Sequence, residues 1–404
     1  MRKLILLSLD ALFDRDLSLL GPDAFLTNWL RHAAVCTQVK TVFPALTYPA
    51  HTTLMTGCDP VDHGIGQNMP FQPDVADDLR VWYLDAANIR RETLFTAVRK
   101  AGGTCASMLW PVTCRCPDIR WNFPEAHTVR GENQVMKMLQ CGSAPWILQM
   151  ELLHGRKRPS IAEPHLSDYA ATLVQDVMKA HRPTLTAAHL IDLDDHRHRF
   201  GTDSAEARAA ISRLNDRVEQ IWHAMQHTSG YEDGLLALVS DHGQADVNRT
   251  VCLTELLESN NLGGSVTVQS NGMSAYLYPK GGNVTEAINW LMSHATMAGI
   301  SRVYRREELD DMHAVKGPLY AVEAAAGVVF SDMLPEAKRE KATHGFGPGH
   351  PAENCLFAVR GRGIREGAIL PAMPMRDVAP TLAELMGTPL PQATGRSHAA
   401  EILA

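Results

Sequence analysis

No run of roughly 18 apolar residues occurs in this 404-residue chain, so no segment reads as a membrane-crossing helix. There is no basic run or stripe either. The 38 Lys and Arg are outnumbered by 45 Asp and Glu, for a net charge of −7, which excludes binding of a nucleic-acid polymer through a charged face. The eight cysteines form no C-x-x-C pair, and Cys114-x-Cys116 is too tight for ordinary zinc spacing. Reduced thiols are therefore expected. Low-complexity tracts and repeats are also missing. The opening stretch MRKLILLSLDALFDRD has too short an apolar run for a secretory leader, and Asp10 and Asp14 break the apolar character beyond Leu9. A buried first strand and a cytoplasmic location are the expectation. Finally, neither Lys nor Arg occurs between Lys40 and Arg80.

What is present is an alternation of short apolar runs with longer amphipathic stretches, the pattern of a buried parallel sheet covered by helices. The runs predict strands over Lys3–Leu9, Thr104–Trp110, Thr184–Ile191, Leu235–Ser240 and Asn354–Val359. Helices are predicted over Pro49–Thr56, Arg91–Ala101, Ser167–Ala180, Ser204–Thr228 and Asp377–Met386, with Ser167 and Ser204 as N-caps and Gly102 and Gly387 as C-terminal stops. The texture changes from about residue 250 to residue 341. Asn271-Gly272 between two alternating runs is a hairpin signal, and a helix near Val284–Ala298 comes next. The expected organisation is a core of residues 1–249 and 342–404 with a small α+β insert, 250–341, beside the active site. Residues 112–165 are irregular and have no assigned place.

Three apolar runs end in metal-type ligands: LILLSLDA, LIDLDDHRHRFG and LLALVSDHG. In an open α/β sheet the carboxyl ends of parallel strands form the ligand crevice, so Asp10, Asp192 or Asp194, and Asp241 converge if their strands are neighbours. Asp194-x-x-x-His198 and Asp241-His242 each pair an oxygen donor with a nitrogen donor, which suits zinc and also manganese. ATHGFGPGHP adds His344 or His350. Two divalent ions about 4 Å apart stabilise both the attacking and the leaving oxygen of an in-line phosphoryl displacement. Thr47, just ahead of a helix with Pro49 in its first turn, is the candidate nucleophile, because metal coordination activates a hydroxyl that is otherwise weak. The helix N-terminus favours a bound phosphate, and Asn68 can donate to a non-bridging oxygen.

The string TVFPALTYPAHTTLMTG, followed by DHGIGQN with Asn68 placed 21 residues after Thr47, resembles the nucleotide pyrophosphatase/phosphodiesterase branch of the alkaline phosphatase superfamily. LVSDHG, ATHGFGP, the WPV at Trp110–Val112 and the closing DVAPTLAELMGTPLP with its later Gly395-Arg396 resemble the same branch. The likeness runs along nearly the whole core and is weak in the insert. It implies an alkaline phosphatase-like three-layer α/β sandwich with a central, mainly parallel sheet and two zinc ions. One metal would be held by Asp10, Thr47, Asp241 and His242, the other by Asp194, His198 and His344. Thr47 would form a covalent phosphoryl intermediate and Asn68 would stabilise the transition state. The middle motif departs from the family's Glu/Asp-Pro-Asp and Gly-His, reading Asp192-Leu193-Asp194 and Arg197-His198, so Asp195 and His196 are rival ligands.

The lack of cations around Thr47 favours a singly charged diester, pyrophosphate or phosphonate over a phosphomonoester dianion, with Arg197 as the nearest exception. The expected substrates are small phosphodiesters or nucleotides. A phosphonoacetate hydrolase gripping a carboxylate through Lys316 or Lys341 is the nearest alternative, and a phosphomutase or phosphomonoesterase of the same superfamily is the next. A sulfatase is excluded because there is no Cys-x-Pro-x-Arg string. Phe71, Trp82 and Trp110 are candidates for stacking on a base. No feature of the sequence specifies an oligomeric state.

Overall fold

The computed structural model describes residues 1–332 and 340–404, except for the side chains of Asp77 and Lys157. In chain order the strands are β1 (Leu4–Leu9), β2 (Ala34–Lys40), β3 (Cys105–Met108), β4 (Trp121–Phe123), β5 (Leu185–Leu190), β6 (Leu235–Val239), β7 (Ala245–Val251), β8 (Val266–Ser270), β9 (Ser274–Pro279), β10 (Ile300–Arg305), β11 (Tyr320–Ala324), β12 (Gly327–Phe330), β13 (Ala342–Thr343), β14 (Asn354–Gly361) and β15 (Met373–Pro374). Eight of them form the main sheet in the order β15-β2-β14-β6-β1-β5-β3-β4. β1 runs parallel to both β5 and β6, β3 is parallel to β5 and β4, and only β14 runs against its neighbours.

Every residue of β1, β5 and β6 is buried, which is why these strands read as unbroken apolar runs. Alternate side chains still serve different layers. Ile5, Leu7 and Leu9 pack against helices His165–His181 and Ala205–Gln226, whereas Leu4 and Leu6 pack against Thr47–Thr56, Leu94–Lys100 and Val378–Met386. Each fully buried Leu contributes roughly 1.5–3 kcal/mol, so the two faces of β1 alone anchor both helical layers. The result is a three-layer α/β sandwich of the kind the sequence predicts.

Several boundaries differ from expectation for local reasons. Ser167 lies inside a helix that begins at His165, and its hydroxyl donates to Glu163 and accepts from the amides of Ile191 and Asp192. Ser204 does cap its helix, accepting from Ala207 N at 3.1 Å. The helix expected over Arg91–Ala101 starts at Leu94, because Thr93 Oγ1 accepts from Thr96 N and caps it there. The unplaced stretch 112–165 forms edge strand β4 and the helices Gln134–Cys141 and Ala144–His154.

Beyond residue 250 the hairpin β8–β9 turns at Asn271-Gly272 and joins β11 and β10 in an antiparallel sheet. β7, from the main body, pairs with β12 and β13. The hairpin turn presses on the segment that carries His344: Met273 N donates to His344 O, and Gly345 N donates to Ala45 O, both at 2.8 Å. A Cβ on Gly345, whose φ is +93°, would lie 1.7 Å from the Asn271 carbonyl. Gly345→Ala is therefore expected to cost about 2–4 kcal/mol in urea unfolding. A loss below about 0.5 kcal/mol would contradict this close approach.

Candidate active site

β1 lies between β5 and β6, so the three carboxyl ends of these strands are adjacent. Asp10 follows β1, and Asp241 follows β6 by way of Ser240. The third acidic string does not extend from its strand. Asp192–Phe200 after β5 is a helix, which puts Asp194 and His198 one turn apart on one face. His198 Nε2 lies 3.4 Å from Asp194 Oδ2, and His344 Nε2 lies 3.9 Å from Asp194 Oδ1. On the other side, His242 Nε2 lies 3.2 Å from Asp241 Oδ2, 3.7 Å from Asp10 Oδ1 and 3.2 Å from Thr47 Oγ1. The rings of His242 and His344 stack at 3.8 Å and join the two groups. Asp194, His198 and His344 thus offer three ligand atoms to one cation, and Asp10, Asp241 and His242 offer three to another.

The rival ligands fall elsewhere. Asp192 is fully buried and clamped by Arg213 and Arg217 at 2.7 and 2.6 Å. Asp195 pairs with Arg199, and His196 turns back to Asp192. His350 stacks on Phe346. Arg197, the cation that weakened the charge argument, is buried and bonded to Asp16 and the Ala11 carbonyl.

Thr47 is the first residue of its helix, with Leu46 in the cap position. Few helix-end amides are left for an anion: Pro49 has none, and Tyr48 N donates to Asn68 Oδ1 at 3.0 Å. That bond orients the Asn68 carboxamide on the cleft wall. The cleft, about 540 Å³, is lined by Asn68, Phe71, Arg80, Trp82, Gln269, Asn271, Asp332, His198 and His344 among others. Trp110 is buried behind the site against His51. Arg80 supplies the one Lys or Arg side chain among the described lining residues, and Asp332 pairs with it at 3.0 Å.

Burial and close like charges set the electrostatics of the site. Burial, and then the charge of Asp194, push the Asp10 carboxyl up to about 6, against the opposing pull of His189. Burial and Asp10 push Asp241 up as well. Burial and the neighbouring His344 hold His242 below the ordinary imidazole range. Burial alone would raise Asp194, but the His198 charge and hydrogen bond outweigh it and lower the carboxyl. Asp10 Oδ1 and Asp241 Oδ2 are buried without a hydrogen-bond donor. Deprotonated carboxylates and neutral imidazoles in this arrangement fit divalent metals.

Some participants were not anticipated. Gln244 donates to Asp194 Oδ1, and His189 Nε2 sits 2.8 Å from Asp10 Oδ2. A polar residue inside the apolar run TLTAAHL was the available signal for His189. Glu125, near His189, belongs to the irregular stretch 112–165, where no pattern singles it out.

Residues 4–347 match the family model described as type I phosphodiesterase / nucleotide pyrophosphatase, and the chain belongs to that family. It is accordingly an enzyme of the phosphodiesterase and nucleotide pyrophosphatase class. Human ectonucleotide pyrophosphatase/phosphodiesterase family member 5 is 22% identical over 409 residues, covering 95% of this chain and 74% of the relative. A Caenorhabditis elegans ectonucleotide pyrophosphatase/phosphodiesterase is 20% identical over 91% of this chain, but over only 40% of its own length. The fold is similar to that of an inactive form of murine ectonucleotide pyrophosphatase/phosphodiesterase 5 in complex with AMP, with a TM-score of 0.73, 18% identity and 100% of both chains covered. Among the described residues no helix is long and apolar enough to cross a membrane.

Two outcomes are expected. Asp192→Asn should cost about 3–5 kcal/mol, by leaving Arg217 buried with a weakened partner, while metal content stays unchanged. Asp194→Asn should lower metal content instead, as read by elemental analysis. The second outcome concerns pH. The Asp10 carboxyl in the metal-free fold stands above its ordinary 3.8, at about 6. Its stabilising protonation is complete below the ordinary value and is lost as pH rises through about 6. A cation must displace that proton, so the rise in Tm on adding Zn2+ or Mn2+ should be larger at pH 8 than at pH 5.5. An equal rise at both would refute the linkage.

Proposed function

We propose that this protein hydrolyses phosphodiester or pyrophosphate bonds of nucleotides or related small molecules through a covalent phosphothreonine at Thr47. The observation that carries this reading is the position of Thr47 Oγ1, 3.2 Å from His242 Nε2, a member of the Asp10/Asp241/His242 group whose ring stacks on His344 of the other. Asp10, Thr47, Asp241 and His242 would hold one divalent cation, and Asp194, His198 and His344 the other. Zn2+ is the favoured ion and Mn2+ the alternative, since both accept mixed oxygen and imidazole donors. When bound, such ions supply Lewis-acid stabilisation of the phosphoryl charge.

The protein's own groups account for the rest. Thr47 Oγ forms a bond to phosphorus as the bond to the leaving oxygen breaks. Water then cleaves the phosphothreonine and regenerates the hydroxyl. Asn68, with its carbonyl oxygen held by Tyr48 N, turns its amino group to a non-bridging oxygen of the transition state. Phe71 and Trp82 on the cleft wall suit a nucleobase. Arg80 is engaged by Asp332, which leaves little positive charge for a dianion and supports the diester over the phosphomonoester. Lys316 pairs with Asp310, and neither Lys316 nor Lys341 lines the cleft, which weighs against a phosphonoacetate substrate.

In this reading the chain divides as the sequence suggests. The expected ligands come from residues 1–249 and 342–404, whereas Thr267–Gly272 and Val329–Asp332 of the 250–341 insert line the cleft. A cytoplasmic location belongs to the same proposal and is supported by eight cysteines that are all free thiols.

The test is hydrolysis of bis-p-nitrophenyl phosphate against p-nitrophenyl phosphate after metal stripping and return of Zn2+ or Mn2+. A metal-dependent preference for the diester of about tenfold or more is expected. Thr47→Ala should remove roughly 10³-fold or more of the rate, and Asn68→Ala about 10²–10³-fold. Preference for the monoester would overturn the charge argument, and full activity in Thr47→Ala would overturn the nucleophile.

A further inference from the structure

Behind the Thr47 helix lies a second set of buried imidazoles and carboxylates that the proposed reaction does not use. His51 is on the inner face of that helix and His189 is on β5, with ring centres 4.2 Å apart and both side chains essentially inaccessible. His51, His189 and Asp241 each place a ligand atom within 4.8 Å of the others. Asp10 Oδ2 lies 2.8 Å from His189 Nε2, and Glu125 Oε2 lies 3.6 Å from His189 Nδ1.

The hydrogen bonds of these histidines indicate which nitrogens remain. His344, an expected ligand, has Nδ1 at 3.0 Å from the Ala45 carbonyl, leaving Nε2 free. His51 Nδ1 is 2.8 Å from the Thr47 carbonyl, and His189 Nδ1 is 3.2 Å from the Leu109 carbonyl. A carbonyl only accepts, so in all three rings Nδ1 carries the proton; Nε2 then presents a lone pair in His344 and His51, whereas in His189 it is engaged by Asp10 Oδ2 at 2.8 Å. This is the tautomer that metal-binding histidines adopt when a backbone carbonyl holds the other nitrogen. His51 Nε2 is buried without a hydrogen-bond partner, and so is Asp241 Oδ2, which stands 3.5 Å from His51 Nδ1. An imidazole lone pair sealed from water without a donor is costly. The ion-pair partners of Asp10, Asp241 and Glu125 among the described residues are all imidazoles, with no Lys or Arg to offset three buried carboxylates.

We propose that His51, His189 and Asp241, with Asp10 and Glu125 beside them, form a third cation site for a zinc- or manganese-type ion, directly behind the two-metal centre. Two imidazoles with carboxylates match such ions better than the all-oxygen sets preferred by calcium and magnesium. The site shares Asp241 with the proposed catalytic centre and so rests on that reading in part. Its cation would place positive charge behind Thr47, in a region that Lys and Arg do not supply.

The test uses the full chain, stripped with a chelator, reloaded with excess Zn2+ or Mn2+, freed of loose metal by gel filtration and analysed by plasma mass spectrometry. The wild type should carry about three equivalents, and His51→Gln and His189→Gln about two each. Anomalous diffraction from Zn2+-loaded wild-type crystals, which needs no variant, should show a third peak between His51 and His189. Two equivalents in the wild type together with metal-dependent diester hydrolysis would overturn the third site and leave the two-metal reading standing. A third equivalent that persists in both variants would also overturn it. A wild type that binds no metal would refute both.

Discussion

The rest of this site depends on one electrostatic constraint. Asp10, Asp241 and Asp194 come together where water is nearly absent, and their immediate charged neighbours are imidazoles, with no Lys or Arg among their ion-pair partners in the described residues. Carboxylates so placed either hold protons or hold cations. Burial raises Asp10 and Asp241 while it suppresses the charge on His242. Both effects leave a ligand set that is strained alone and satisfied by divalent metal. The arginine on the ligand-bearing helix and the arginine on the cleft wall are both engaged by carboxylates outside this cluster. Arg197 is taken up by Asp16, and Arg80 by Asp332.

The scaffold meets this constraint by putting the candidate ligands on stiff elements. Asp10 and Asp241 follow central strands that are covered on both faces. Asp194 and His198 share one turn of a helix that Asp192 fastens to Arg213 and Arg217. His344 is the candidate ligand that depends on a distant segment, since the β8–β9 turn bonds to its carbonyl and only glycine fits at position 345. The hairpin that lines the cleft therefore also positions His344, which couples the shape of the cleft wall to the geometry of the Asp/His cluster.

Much of the fold was legible because a fully buried parallel strand is a plain apolar run. β1, β5 and β6 could be located within a residue or two for this reason, and so could antiparallel β14, which is buried over its apolar stretch Cys355–Val359. β4 could not, since three residues at a sheet edge carry no periodicity. Ser167 misled because a serine before an amphipathic run looks like a cap, yet here its hydroxyl bridges two loops. The candidate nucleophile and its supporting asparagine stood out because Thr47 and Asn68 lie in strings whose spacing resembles a family to which the chain does belong. Trp110 could not be separated from Phe71 and Trp82 as a cleft aromatic, because exposure is not written in a residue's type.

The sequence by itself determined the donor chemistry, carboxylates and imidazoles at the ends of apolar runs near a threonine, and with it the class of enzyme. The resemblance pointed to Asp194 and His198, and the tertiary structure shows how they are set apart from the neighbours Asp192, Asp195 and His196. These residues lie on a helix, where each successive side chain points about 100° further round, so Asp194 and His198 meet each other near His344, Asp192 faces the buried arginines, and Asp195 and His196 pair within the helix. It also brought His51 and His189 together across 138 positions of sequence, a juxtaposition set by the packing of a helix on a strand and invisible to any local pattern.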